Sequence, residues 1–182
     1  MKVIIEDDNW DDLEDELSTL LKEYKTTVAA GLHVFPDGKK WMHYYNHEVI
    51  NDKMSDKFKK RMVDTINRMM NNNDVEWELY QAWINFIEPH HNQNESFHRD
   101  HEKDIVLIHY PKFNQEMKGG ELQWVENENT PNQEIKSFKP KVGEGTNILL
   151  LECPQHRVVE ITEGIRWSFV FFCYKKKTKR FI

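Results

Sequence analysis

TNILLLECPQHRVVEITEGIRWSFVFFCY, residues 146–174, holds three apolar or β-branched runs, 146–151, 156–162 and 166–174, parted by Cys-Pro and Glu-Gly turns. Short runs of this kind between turn formers read as strands. Working outward, the same rhythm reaches back to Val75, with strands predicted near 76–87, 104–110, 121–126 and 133–138. Before Val75 the rhythm is different. Trp10, Leu13, Leu17, Leu20, Leu21 and Tyr24 recur at helical spacing, with Asn9 placed to cap and acidic residues in the first turn. Phe58, Met62, Val63, Ile66, Met69 and Met70 recur likewise from Ser55 onward, and Asn71 to Asn73 end the helix. Thr27 to Phe35 and Trp41 to Tyr45 flank Pro36-Asp37-Gly38, which predicts a hairpin. Seven or more strands in succession, with helices confined to the first 75 residues, predict two antiparallel sheets or a barrel and not alternating βαβ units.

Length and composition bound the function. At 182 residues the chain is the size of one domain with one core. We expect helical and hairpin support over 1–74, a β core over 75–174 and a basic tail over 175–182. The tail reads as solvated, with a weak anionic contact as the alternative. Apolar residues at 38 % and charged residues at 31 % exclude a disordered or membrane-embedded chain. Apolar runs such as Ile148 to Leu151 and Phe169 to Cys173 are far too short to span a bilayer. Residues 1–8 turn acidic too early for a secretory signal. Cys153 and Cys173 are too few for a disulfide framework and lack metal-ligand spacing, so a cytoplasmic, reducing setting is expected. A net charge of −6 argues against broad nucleic-acid binding.

Four of nine histidines, His90, His91, His98 and His101, crowd one loop that contains His98-Arg99-Asp100. Alone, a His-x-Asp triplet carries little weight and usually lies in solvent. It gains weight from His156, which opens one strand, and from Arg166, which opens the next. Two imidazoles and one carboxylate on one face of a metal leave the opposite positions open, and that mixed set favours Fe(II) over a closed zinc site. His98, Asp100 and His156 supply the set. On a strand, His98 and Asp100 would share a side while Arg99 faces away. His90, His91 and His101 read as loop or supporting residues, and His33 and His109 as core hydrogen-bonding residues.

Arg166 lies at the start of a strongly apolar strand. Its guanidinium needs a partner there, either an internal acid or a bound carboxylate, with the Ser168 hydroxyl on the same face. A plain hairpin about Glu163-Gly164 would point Arg166 away from His156. Strands in facing sheets would let both project into one interior.

These residues resemble the Fe(II)- and 2-oxoglutarate-dependent dioxygenases, in particular their prolyl 4-hydroxylase-like branch. The likeness covers roughly 80–174 and rests on His98-Arg99-Asp100, Ile105 to Tyr110, Gly119-Gly120-Glu121-Leu122, Pro140-Lys141-Val142-Gly143, His156-Arg157-Val158 and Gly164-Ile165-Arg166-Trp167-Ser168. It implies a double-stranded β-helix, a cupin-like jelly roll, with the N-terminal helices packed on one sheet. It also implies that His98, Asp100 and His156 hold Fe(II) and act as the catalytic centre. Arg166 and Ser168 would grip the distal carboxylate of 2-oxoglutarate, with Tyr110 bonding to it. Relatives often carry a tyrosine followed by Gly and Pro before the first metal histidine. This chain has Trp83-Ile84-Asn85-Phe86 instead, so Asn85 or Trp83 is the candidate replacement, Trp83 reading first as core packing.

The implied reaction couples O2 and 2-oxoglutarate, which gives succinate and carbon dioxide, to hydroxylation of an unactivated C–H bond. The resemblance favours a peptidyl proline. A free amino acid or other small molecule is the alternative, and a non-catalytic jelly-roll binding protein is a further one.

Overall fold

The computed structural model describes residues 2–27, 32–34, 40–45, 53–71, 75–87, 89, 96–100, 105–112 and 114–176. Along the chain these form β1 (Lys2–Asp7), a 3-10 turn (Asp11–Leu13), α1 (Glu14–Thr27), β2 (Leu32–Val34), β3 (Lys40–Tyr45) and α2 (Asp56–Met69). The strands β4 (Trp77–Ile87), β5 (Ile105–Tyr110), β6 (Leu122–Glu126), β7 (Glu134–Phe138), β8 (Thr146–Leu151), β9 (His156–Val158) and β10 (Arg166–Lys175) follow. One sheet has the order β1-β8-β5-β10-β4-β3-β2 and the other β7-β6-β9, with every pairing antiparallel. His98 adds a single bridge to His156 at the edge of the smaller sheet. This is the predicted jelly roll.

Alternation along β10 divides the core in two. Val170 and Phe172 point toward the smaller sheet and pack with Val106, Ile108, Tyr110, Ile148 and Leu150 against Leu122, Phe138 and Val158. Phe169, Phe171 and Cys173 point the other way and pack with Leu107, Leu149 and Ile84 beneath the helices. The helices answer with Leu13, Leu17, Leu20 and Leu21 from the first, and Phe58, Met62, Ile66 and Met69 from the second. The N-terminal helices therefore do cover one sheet. Ser55 caps α2, its side chain accepting the Phe58 N–H at 3.1 Å. Arg61 and Arg68 of α2 reach Asp8 at 2.7 and 2.6 Å, and Arg68 also reaches Glu6 at 2.6 Å, which ties the helix to β1.

Several local expectations change. Residues 2–7 form an edge strand that the sequence reading did not predict, paired along its whole length with β8. Asn9 is not a helix cap. Trp10 takes that place in a left-handed conformation, and the Asn9 side chain instead accepts the Gly145 N–H at 2.7 Å. The hairpin of β2 and β3 is present, and Thr27, expected on its first strand, is instead the last residue of α1. The strand expected over 156–162 ends at Val158. Beyond it the chain presses against residues 118–121, with Gly120 N–H to Val159 O at 3.0 Å, Thr162 N–H to Lys118 O at 2.9 Å and Lys118 N–H to Glu163 O at 2.9 Å. Glycine makes that approach possible: a Cβ on Gly119 (φ +79°) would lie 1.7 Å from Glu160 O, and one on Gly164 (φ +85°) 2.2 Å from Glu116 O. Expectations for His90, His91, His101, Pro36-Asp37-Gly38, the end of the helix at 72–73 and the tail at 177–182 lie outside the described residues, as do those for the Tyr24 and His33 side chains. Among the described residues no helix is long and apolar enough to cross a membrane.

Candidate active site

His156 opens β9 and meets His98 through a two-way backbone pair, His98 N–H to His156 O at 3.0 Å and His156 N–H to His98 O at 2.9 Å. That bridge sets the two imidazoles side by side, with ring centroids 4.6 Å apart. Residues 98–100 are not a strand, contrary to expectation. The chain pairs only at His98 and then bends at Asp100, which turns the carboxylate back toward both rings. Asp100 Oδ1 lies 3.9 Å from His98 Nε2, and Oδ2 lies 3.4 Å from His156 Nε2. One ligand atom from each of the three residues falls within 4.8 Å of the others.

The other ring nitrogens fix the tautomers. His156 Nδ1 lies 2.9 Å from the Pro154 carbonyl, and His98 Nδ1 lies 3.2 Å from the Ser96 carbonyl. A carbonyl only accepts, so both Nδ1 atoms carry the proton, and in the neutral rings both Nε2 lone pairs are left facing Asp100. Two lone pairs and a carboxylate turned on one point call for a cation. With no metal a proton answers that call: burial disfavours charge on His156, but Asp100 and Cys153 outweigh it and raise its pKa to about 10. The donor set fits a divalent metal held by two nitrogens and one carboxylate.

Arg166 is 1 % exposed at the start of β10, in the opposite sheet from His156. The arrangement in facing sheets therefore holds, and no β9–β10 hairpin forms. Arg166 Nη1 approaches Ser168 Oγ at 3.4 Å, Nη2 donates to the Tyr110 hydroxyl, and Nε has no hydrogen-bond partner among the described residues. Among the described residues no carboxylate pairs with this guanidinium. Burial raises the Tyr110 pKa although Arg166 opposes it, so the phenol keeps its proton. Its oxygen accepts from Arg166, and its O–H is left to donate. A buried cation beside two hydroxyls is a receptor for an anion.

Asn85 stands directly across from Ser168 in the β4–β10 register, with a buried Oδ1 that has no hydrogen-bond partner among the described residues. Trp83 packs its ring 4.5 Å from Phe172, as core packing requires. Ser168, Tyr110 and Asn85 thus share the Arg166 side of the interior. His109, by contrast, points beneath the helices, stacked on Trp10 at 4.1 Å and bonded to Asn147 at 2.9 Å.

Two residues that place the site escaped the sequence reading. Buried Asn114 accepts the Trp167 N–H at 2.7 Å and donates to the Trp167 and Pro111 carbonyls at 3.1 Å each, which fixes the chain beside Arg166. Glu128 bonds to Arg99 and to the Gln155 N–H. Neither lies in a pattern that marks it, since the partners that bear on the site, Gln155, Arg99 and Trp167, are 27 to 53 residues away in sequence.

No family model and no curated protein matches the sequence. Solved structures do match the fold. The viral collagen prolyl hydroxylase of Paramecium Bursaria Chlorella virus-1, solved with 2-oxoglutarate, superposes with a TM-score of 0.60 at 14 % identity over 98 % of this chain and 97 % of that one. A 2-oxoglutarate-Fe(II) oxygenase family oxidoreductase from Burkholderia pseudomallei gives 0.54 at 16 % identity, covering 88 % and 82 %. A Trichoplax adhaerens prolyl hydroxylase, solved with a hypoxia inducible factor peptide fragment, gives 0.58 at 13 % identity, covering 94 % and 83 %. The chain therefore carries the jelly-roll fold shared by 2-oxoglutarate-Fe(II) oxygenases and prolyl hydroxylases.

Proposed function

We propose that this chain is an Fe(II)- and 2-oxoglutarate-dependent dioxygenase that hydroxylates an unactivated C–H bond, with a peptidyl proline as the favoured target. One observation carries the reading: a buried guanidinium with no carboxylate partner among the described residues lies in the sheet that faces a two-histidine, one-carboxylate set. The metal set alone would suit several chemistries, and an internal arginine alone would suit a structural role. Together they match a metal and an organic acid bound side by side.

In this reading the Nε2 atoms of His98 and His156 and the carboxylate of Asp100 hold the iron. Pro154 and Ser96 orient the rings by accepting their Nδ1 protons. Arg166, Ser168 and Tyr110 take the distal carboxylate of 2-oxoglutarate, and Asn85 lines the same side. Bound ferrous iron supplies the oxidative chemistry, in which O2 and 2-oxoglutarate give succinate, carbon dioxide and one oxygen atom for the substrate C–H bond. The apolar walls of Ile108, Ile148, Val170 and Phe172 exclude water from the reacting atoms. Both cysteines are unbridged and buried, which agrees with a cytoplasmic enzyme. The proline target is supported by whole-chain likeness to two prolyl hydroxylases.

Two measurements test the proposal. Anaerobic Fe(II) with 2-oxoglutarate should give the visible charge-transfer band of a chelated complex, and His156→Ala should abolish it. An unchanged band in that variant would refute the ligand assignment. Succinate release against proline peptides and free amino acids then tests the target. Turnover with free amino acids alone would move the assignment to a small molecule, and no turnover-linked succinate with any substrate would leave a binding protein.

A further inference from the structure

We propose that Glu128 is a positioning residue that locks the two ligand-bearing segments of the metal centre together through Arg99 and the Gln155 backbone. This rests on the metal reading above and goes beyond it, because Glu128 touches none of the three ligands.

Both carboxylate oxygens of Glu128 are committed. Oε2 takes the Arg99 guanidinium, and Oε1 accepts the Gln155 N–H at 2.7 Å. Arg99 stands between His98 and Asp100, and Gln155 immediately precedes His156. One side chain from the β6–β7 connection therefore reaches both places where the chain delivers ligands. The Glu128 side chain is 8 % exposed and that of Arg99 30 %, so the pair is shielded more than an ordinary surface ion pair.

The backbone around the brace points to the same role. His98 and His156 meet through only one bridge, and residues 99–100 leave the ladder at once. One bridge fixes a position but leaves the direction of the following bend open. Arg99, between the two ligands, is held by Glu128, which fixes the segment that turns Asp100 toward both rings. The connection that carries Glu128 is itself closed by hydrogen bonds, among them Thr130 Oγ1 to Asn127 O at 2.7 Å and Gln133 N–H to Thr130 O at 3.1 Å. Val125 N–H to Gln155 O at 2.9 Å ties the base of that connection to the same segment.

Groups that hydrogen-bond metal ligands commonly cost about 10–100-fold in metal affinity when removed, and a brace on the residues beside those ligands is expected to act within that range. The test is Co(II) titration of the wild type, Glu128→Ala, Glu128→Gln, Arg99→Ala and the double alanine variant, followed by ligand-field absorption, with thermal melts of the metal-free proteins alongside. Glu128→Ala and Arg99→Ala should each weaken Co(II) about 10–100-fold, and the double variant should be no weaker than the poorer single. Glu128→Gln keeps an acceptor for the Gln155 N–H and should fall between wild type and Glu128→Ala. Affinity within twofold of wild type in Glu128→Ala, or in Glu128→Gln and Arg99→Ala together should the first not fold, would overturn the brace. Additive losses in the double variant would overturn it as well, since the two residues would then act separately. Failure of the wild type to bind Co(II), or full binding by His156→Ala, would instead remove the metal reading on which the brace depends.

Discussion

The Arg166 guanidinium lies over the ring of Tyr110, its Cζ 4.9 Å from the centroid, and donates Nη2 to the hydroxyl of the same residue. Face and hydroxyl thus hold one cation in one orientation, with no acid among the described residues to neutralise it. Such a charge destabilises the fold that contains it, and replacing it with an apolar side chain of similar length relieves the cost. Arg166→Met should therefore melt higher than wild type when no 2-oxoglutarate is present. Added 2-oxoglutarate should raise the wild-type melting temperature and leave that of Arg166→Met unmoved. A thermal melt with and without the acid checks both halves, and an equal shift in the two proteins would place the acid elsewhere.

Lysine keeps the charge at this position but not the planar fork. It cannot reach Ser168, Tyr110 and a carboxylate at once. Arg166→Lys should weaken 2-oxoglutarate about 100-fold, some two to three kcal/mol for a lost charge-assisted pair, with metal affinity within twofold of wild type. Titration of 2-oxoglutarate into the anaerobic Fe(II) protein reads the first, and Co(II) titration reads the second. Parallel loss of both would mean a disturbed fold.

The strands around this site were legible because their signal is local. β4 to β10 are short apolar runs between turn formers, and each lies within a few residues of its predicted place. The exceptions are places where a distant partner decides. Lys2–Asp7 is half charged, as edge strands tend to be, and becomes a strand only by lying along β8. Asn9 has the composition of a cap, but the left-handed turn at Trp10 swings its side chain to Gly145. His98, Asp100 and His156 could be picked out by chemical type, and the structure gathers their ligand atoms within 4.8 Å of one another, with Arg166 buried in the other sheet. Asn114 and Glu128 could not, because an asparagine after a strand and a glutamate in a polar turn look alike whether or not they hold anything.

His109 gives a prediction in pH. It is fully buried, stacked on Trp10, and donates Nδ1–H to Asn147 Oδ1 at 2.9 Å, while Nε2 has no hydrogen-bond partner among the described residues. Burial lowers its pKa from 6.5 to about 4, against small upward pulls from Asn147 and Asp8, with Arg61 adding to the fall. The unfolded chain therefore binds more protons than the folded one between those values. The stability that neutral His109 contributes is complete above pH 6.5 and falls as the pH drops toward 4, by about 3 kcal/mol over the whole interval. His109→Gln can still donate to Asn147 and does not titrate. Its urea midpoint should decline less than that of wild type between pH 7 and pH 4.5, and parallel declines would show that His109 does not set the slope.

Asn114 joins stability to cosubstrate binding. Its amide serves the N–H and the carbonyl of Trp167, and both are groups the β10 backbone needs satisfied next to buried Arg166. Asn114→Ala leaves the two without partners in a dry interior, at about 1–3 kcal/mol each, so a loss of about 3 kcal/mol in folding stability is expected. The start of β10 would also be released from the 111–114 segment, which bears on where Arg166 points. The apparent Kd for 2-oxoglutarate should rise several-fold in Asn114→Ala at a temperature where the variant is fully folded. Asn114→Asp separates the two effects. It still accepts the Trp167 N–H but turns a carboxylate oxygen on the Pro111 and Trp167 carbonyls in a dry interior, so it should be no more stable than Asn114→Ala yet show the smaller rise in Kd. Urea melts and 2-oxoglutarate titration of the three proteins at one temperature give the comparison. A variant that loses stability with the wild-type Kd intact would show that Arg166 is held by its own strand and not by Asn114.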